Sequence, residues 1–381
     1  MIEKYYSGVI EQIYNRIGKE TRNIVMANYS NDFSIENLEV IRRYQSNEDN
    51  VFFAYSEFSY NTLIGAYEPF LDIICNMHRR FIGGSFDDFQ KECGVYYLHR
   101  QVLNSYYETG ECFREEMVLL NEVAYEQRRM TMAIADMLKR LSEVKPLMIV
   151  INRFQMASKS SIETIKYLID NPCANIGIVL GVNALVKGAD STLEVWDSIV
   201  ESLEDRSAVY YIGSAGQLKN TVKTTNDDEM YITMNFEQSI QEASNIMEFL
   251  DYEQARRGCR IIEHKIKFEN AWIDEKSLRR FYLVYARTSV LLGEMSKAIE
   301  LMNEYKALIP ENDSEHYFSL YYFMKGTCYM YQGKLEKAEG CAKKAYDYAL
   351  LADDELLEFK SELLSVMIKM SGWYNIFFCV Q

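Results

Sequence analysis

The spacing of hydrophobic positions changes near the middle of the chain. Up to about residue 215, short apolar runs rich in β-branched and aromatic residues alternate with longer amphipathic stretches. The runs at 23–27 (NIVMA), 51–55 (VFFAY), 147–151 (LMIVI), 176–182 (IGIVLGV) and 209–212 (VYYI) predict strands. Stretches such as 34–44 and 114–144 predict the helices between them. Strands that are apolar throughout, rather than alternating, are buried on both faces, and their alternation with helices predicts an α/β parallel sheet.

Beyond about residue 225 the strand pattern stops and a longer period begins. The segments LDYEQARRGCRII (250–262), GEMSKAIELMNEY (293–305) and GKLEKAEGCAKKA (333–345) each carry a turn residue, a large apolar residue two later and an alanine five later. The alanines are Ala255, Ala298 and Ala338. A period of about forty residues with helix–turn–helix content predicts stacked helical hairpins. The alanine falls where the two helices of a hairpin come close. The expected organisation is an α/β domain over residues 1–220 and an all-α repeat array over 221–381. The last repeat is expected to be incomplete, with a first helix at 355–370 and a turn at Ser371-Gly372. Its apolar end, with Phe377 and Phe378, is expected to self-associate or to dock on another protein.

Composition fits two well-filled cores. The 381 residues are 48% hydrophobic, with only four prolines to interrupt helices. A formal charge of −15 opposes non-specific attraction to nucleic acid or to an anionic membrane. The first residues, MIEKYYSGVI, lack the apolar segment of a signal peptide, and the longest apolar runs are too short to span a bilayer. Eight cysteines without a CxxC pair read as reduced thiols of a cytoplasmic protein. Cys75, His78, Cys93 and His99 do not have the spacing of a zinc finger.

The repeats resemble the tetratricopeptide repeat. One unit has Tyr282, Ala286, Gly293, Met295, Ala298 and Pro310, and the next has Tyr322, Gly326, Tyr329, Gly333, Leu335, Ala338, Ala342 and Ala345. An α/β domain followed by such repeats resembles the STAND-type (AAA-like) signal-transduction ATPases, in the branch of large LuxR-type regulators related to the maltose activator. Residues 50–74, with Tyr67, Pro69 and Phe70, resemble that family's second strand and following loop. Residues 146–168 resemble its Walker B strand and the helix after it, keeping Gln155, Ala157 and Ser161, with Met156 for the usual tryptophan. Asn183 stands at the end of the sensor strand, where arginine is common. The resemblance implies a P-loop-NTPase-like fold and a signalling or transcription-control setting.

The chemistry of that family is missing from the slots that should carry it. A phosphate loop needs glycines, so that backbone N–H groups cradle phosphate oxygens, and a lysine to reach the terminal phosphates. The residues after the first strand are Tyr29, Ser30, Asn31, Asp32, Phe33, Ser34, Ile35 and Glu36, without glycine or lysine. Mg²⁺ and a catalytic water need carboxylates, and Asn152 and Arg153 stand where the acids belong. No catalytic residue, cofactor or metal is therefore expected, and the chain reads as a non-catalytic signalling or transcription-regulation protein. An active ATPase with an atypical nucleotide site and a simple repeat adaptor are the alternatives. No terminal helix-turn-helix is visible, so direct nucleic-acid binding is not expected. A protein or peptide partner is expected along the repeat groove, at Arg280, Leu283, Arg287, Phe323, Thr327 and Tyr331.

Overall fold

Five short strands form one parallel sheet. β1 (Ile24–Tyr29), β2 (Phe52–Glu57), β3 (Leu147–Asn152), β4 (Ile176–Asn183) and β5 (Val209–Ile212) lie in the order β2-β3-β4-β1-β5. Each pairing is parallel, so every link between neighbours is a crossover and all five carboxyl ends share one edge. The computed structural model describes residues 2–29, 38–46, 50–59, 63–112, 122–184, 186–187, 192–212, 223–224, 236–268, 273–312 and 314–378. By contacts the chain divides into a first unit (Met1–Val118, Glu122–Asn235 and Ser244–Gln254) and a second (Leu119–Asn121, Phe236–Ala243 and Ala255–Gln381).

In the first unit, helices α1 (Ile2–Arg16) and α2 (Glu39–Ser46) cover one face of the sheet. Tyr6, Ile10 and Ile13 of α1 and Ile41 of α2 pack on Val25, Ala27, Phe53, Met148, Val150 and Val179. The alternate residues Ile149, Ile151, Ile178 and Leu180 are also fully buried, which is why these strands are apolar at successive positions. Further helices of this unit are α3 (Phe70–Met77), α4 (Phe86–Glu92), α5 (Tyr97–Thr109), α6 (Val123–Val144), α7 (Lys159–Asp170) and α8 (Leu193–Asp205). Residues 34–37 and 114–121 of the helices expected from sequence lie outside the described residues.

Two glycines of β4 set the distance at which α1 lies. A Cβ on Gly177 would come within 2.9 Å of Ile13 and Ile17, and one on Gly181 within 2.4 Å of the Tyr6 hydroxyl. Strand glycines commonly mark a place where something approaches closely. Here the close neighbour is the protein's own first helix.

After the sheet come α9 (Phe236–Glu248), α10 (Tyr252–Phe268), α11 (Glu275–Leu291), α12 (Met295–Ala307), α13 (Glu315–Tyr331), α14 (Leu335–Leu351) and α15 (Glu355–Phe378). Four of the links turn through a left-handed residue: Leu250, Gly293, Gly333 and Asp353. At each, the left-handed amide bonds back three residues and the next amide bonds back five, as Gly293 to Val290 and Glu294 to Ser289. This is the Schellman arrangement, which satisfies carbonyls at the helix end. Ala298 and Ala338 are fully buried after such turns. A Cβ on Gly326 would meet Leu364 at 3.0 Å, Cys341 at 3.3 Å and the Ala338 carbonyl at 3.4 Å, so α13 also depends on a small residue.

The expected turn at Ser371-Gly372 does not form. α15 runs through it to Phe378. A glycine inside a helix costs only about 1 kcal/mol relative to alanine, too little to stop a long helix that meets no proline. The Ser371 hydroxyl donates back to the Met367 carbonyl at 2.9 Å, within the helix. Among the described residues, no helix is long and apolar enough to cross a membrane.

Gly181→Ala tests the seating of α1. The added methyl meets the Tyr6 hydroxyl, Asn152 Oδ1 at 3.0 Å and the Ile151 carbonyl at 3.3 Å. Urea unfolding should show a loss of about 1–3 kcal/mol, the usual effect of overpacking. Gly340→Ala, on an exposed part of α14 with nothing within 4 Å, should instead gain roughly 0.5–1 kcal/mol.

Candidate functional site

Open α/β sheets hold ligands outside the carboxyl ends of their strands, where connections from adjacent strands diverge. In this sheet β1 and β4 are neighbours. The chain leaves β1 toward β2 on one side and leaves β4 toward β5 on the other. The edge at that point is made by Tyr29, Asn152 and Asn183, with Glu57 ending β2 beside Asn152.

At this edge, side chains from the strand ends bond to each other. Tyr29, from the end of β1, donates its hydroxyl to Asn152 Oδ1 across β4 at 2.5 Å. The bond can span a strand because Gly181 has no side chain to stand in its path. Asn152 Oδ1 also accepts the Arg153 amide at 3.0 Å, which leaves its oxygen occupied from two directions. Asn152 is fully buried, and its Nδ2 has no hydrogen-bond partner among the described residues. The Tyr6 ring stands edge-on to Tyr29, with centroids 6.3 Å apart. Burial, and secondarily Tyr29, Tyr55 and Glu57, push the Tyr6 hydroxyl well above the ordinary phenol range, so it stays neutral.

Arg153 adopts a left-handed backbone with φ of 55° and turns its guanidinium toward β2. Its Nη1 lies 3.0 Å from Glu57 Oε1 and 3.4 Å from the Phe58 carbonyl. Tyr55 donates to the other Glu57 oxygen at 2.5 Å. Gln155, in the short turn Phe154–Met156, completes the end of β4: it accepts the Asn183 amide at 3.3 Å and donates to the Asn183 carbonyl at 3.4 Å. The amide side chain thus takes the place of a further strand residue.

These groups do not fit Mg²⁺. The metal needs hard oxygens with free lone pairs, whereas the Asn152 oxygen is engaged twice and its remaining free group is a donor. Among the described residues, the carboxylate that ends β2 beside Asn152, Glu57, is held by a guanidinium. Tyr29, Asn152, Arg153 and Asn183 are therefore brought together, while Ser30, Asn31, Asp32, Ser34 and Ile35 lie outside the described residues. Tyr6, Tyr55 and Glu57 were not singled out from the sequence. Glu57 was legible in principle, because a strand parallel to β3 must end at the same edge.

The residues expected along the repeat groove do not form one open wall. Arg280 is exposed and donates to Gln241, while Leu283, Arg287 and Tyr331 are half-buried. Phe323 and Thr327 are buried, and the Thr327 hydroxyl bonds back to the Phe323 carbonyl at 3.0 Å. Those two contribute to packing and not to an open surface. His78 and His99 are likewise engaged, with the Tyr107 hydroxyl at 3.1 Å and Glu126 at 3.0 Å respectively. Among the described residues no group of three or more metal-ligating side chains comes together.

Two other polar places serve the fold. Buried Asp251 accepts the amides of Ser160 and Gln254, at 3.0 and 3.3 Å, and Ser160 accepts the Tyr67 amide at 3.0 Å. Burial pushes the Asp251 carboxyl up. At the amino edge of the sheet, a cleft of about 210 Å³ is lined by Arg16, Arg22, Asn23 and Arg206 among others. Arg206 donates to the Ile169 carbonyl at 2.5 Å, at the end of α7, where a cation offsets the helix dipole.

Tyr29→Phe removes the hydroxyl and leaves Asn152 Oδ1 with one donor. A loss of about 1–2 kcal/mol in denaturant unfolding is expected for a buried bond of this kind. An unchanged midpoint would mean that the bond is replaced.

A scan for family models and a search of curated proteins find no match to the chain.

Proposed function

We propose that the chain is a non-catalytic regulator or scaffold: a nucleotide-binding-type α/β unit without its hydrolytic groups, joined to tetratricopeptide-like hairpins that bind a protein partner. The observation that carries this reading is the Tyr29–Asn152 hydrogen bond at the carboxyl edge of the sheet. A tyrosine hydroxyl and an amide meet there, at the ends of the strands beside which a nucleotide-hydrolysing site carries its phosphate loop and its metal-holding carboxylate. The strand order, the diverging connections at β1 and β4, and the preserved Gln155 and Ser161 support descent from a STAND-type ATPase. The four matching turns and the buried Ala298 and Ala338 support repeats of the tetratricopeptide kind. A signalling or transcription-control setting follows from that resemblance.

Isothermal titration with Mg-ATP tests the first half of the reading. The expected result is no heat of binding below about millimolar affinity and no phosphate release over background. Micromolar affinity would overturn it and favour an atypical ATPase.

The second half is tested on an array of acidic peptides. Arg280 and Arg287 are the cations expected to draw an acidic segment to the hairpins. Arg280→Glu should reduce peptide capture and leave the melting temperature nearly unchanged, because Arg280 is exposed and surface substitutions stay within about 0.5 kcal/mol. Equal capture by variant and parent would remove this surface from the proposal.

A further inference from the structure

The last helix is apolar on two sides. Leu357, Ser361, Leu364 and Ile368 are buried, and they belong to the face of α15 that packs within the array. A second row, Leu356, Phe359, Leu363, Val366 and Met370, is exposed by 38%, 62%, 38%, 51% and 57% of each side chain's residue surface. At about 100° per residue the two rows lie on roughly opposite sides of the helix. A surface helix normally turns its second face polar. This one does not.

The spacing of the exposed row identifies what fits it. Its steps are three, four, three and four residues, the alternation of a and d positions in a heptad. A flat apolar patch would suit many partners, but this seam suits another helix carrying the same repeat. In sequence the steps continue at Trp373 and Phe377. The helix is already formed and held by the array, so docking does not have to meet the cost of helix nucleation.

The geometry points to a second copy of this chain as the occupant, with α15 pairing antiparallel to α15 of the partner molecule. A parallel pair would set each Glu355 against Lys360 of the other copy, but Lys360 is half-buried and already engaged within its own chain, whereas Lys369 is exposed. Glu355 and Lys369 flank the seam at equivalent g positions, and both are exposed. In an antiparallel pair each Glu355 meets Lys369 of the other copy, giving two favourable contacts related by the twofold axis. Glu362 then meets its own copy at the axis, which offsets part of that gain, so the apolar seam carries the affinity. Two seams of this length bury on the order of 1,000 Å², close to the lower bound for a specific interface. The pairing is independent of the nucleotide edge and of Arg280 and Arg287.

Sedimentation velocity of the full chain over a range up to about 100 µM tests it, a range that reaches weak interfaces. The expected result is a monomer–dimer equilibrium. Phe359→Glu with Leu363→Glu should weaken it at least about tenfold, with circular dichroism and melting temperature retained because both side chains already face solvent. Lys369→Glu should weaken it, and adding Glu355→Lys should restore it. A parent chain that stays monomeric, or a dimer indifferent to the two seam substitutions, overturns the proposal. Seam variants that dissociate without rescue by the charge swap overturn the antiparallel pairing.

Discussion

The close passage of α1 over β4 determines how the carboxyl edge of the sheet is built. Gly177 and Gly181 leave a bare track along the strand, and Ile13, Ile17 and Tyr6 occupy it. Because Gly181 carries no side chain, Tyr29 and Asn152 reach each other from the two strands that flank β4. Because α1 lies so near, the Tyr6 ring joins them. One missing side chain therefore brings a helix and two strand ends into a single buried cluster. Arg153 then turns outward to Glu57, where its charge keeps a partner and some solvent. A side chain at position 181 would press on the Tyr6 hydroxyl and on Asn152 Oδ1, two members of that cluster.

Legibility in the sequence followed the range of the physical signal. The strands were readable because complete burial makes every position apolar, and each predicted run overlaps an observed strand within two residues at either end. The hairpin turns were readable where glycine marks the left-handed residue, as at Gly293 and Gly333. Leu250 came in by register alone. Asp353, a turn of the same geometry, did not. The error at Gly372 has the same origin: glycine permits a turn but does not require one. The bond between Tyr29 and Asn152 joins residues 123 positions apart, and nothing local to either announces it. Phe323 and Thr327 were assigned to a groove by repeat register, which fixes the helix face only to within a residue or so of a neighbouring helix's cover.

Within the carboxyl edge, the polar groups divide by the quality of their partners. Arg153 and Glu57 form a paired, partly solvated contact of modest value. The Tyr29 hydroxyl and the Asn152 oxygen form a dry bond that is costly to leave unmade. Gln155 replaces a backbone ladder with a side chain and fixes where β4 ends. The edge is thus held rigidly by neutral hydrogen bonds at its centre and tuned by charge only at its rim.

The position of β1 governs the order in which the chain can acquire its structure. β1 is among the first segments in sequence, yet its two neighbours are β4 and β5, which end at residues 183 and 212. During synthesis one of its edges stays open until residue 183 has been made and the other until residue 212. The helical hairpins close over a few dozen residues each, through local contacts that form quickly. The slow, long-range step belongs to the sheet, and a nascent chain at that stage exposes the NIVMANY segment, an apolar strand with unpaired edges, to any neighbouring strand.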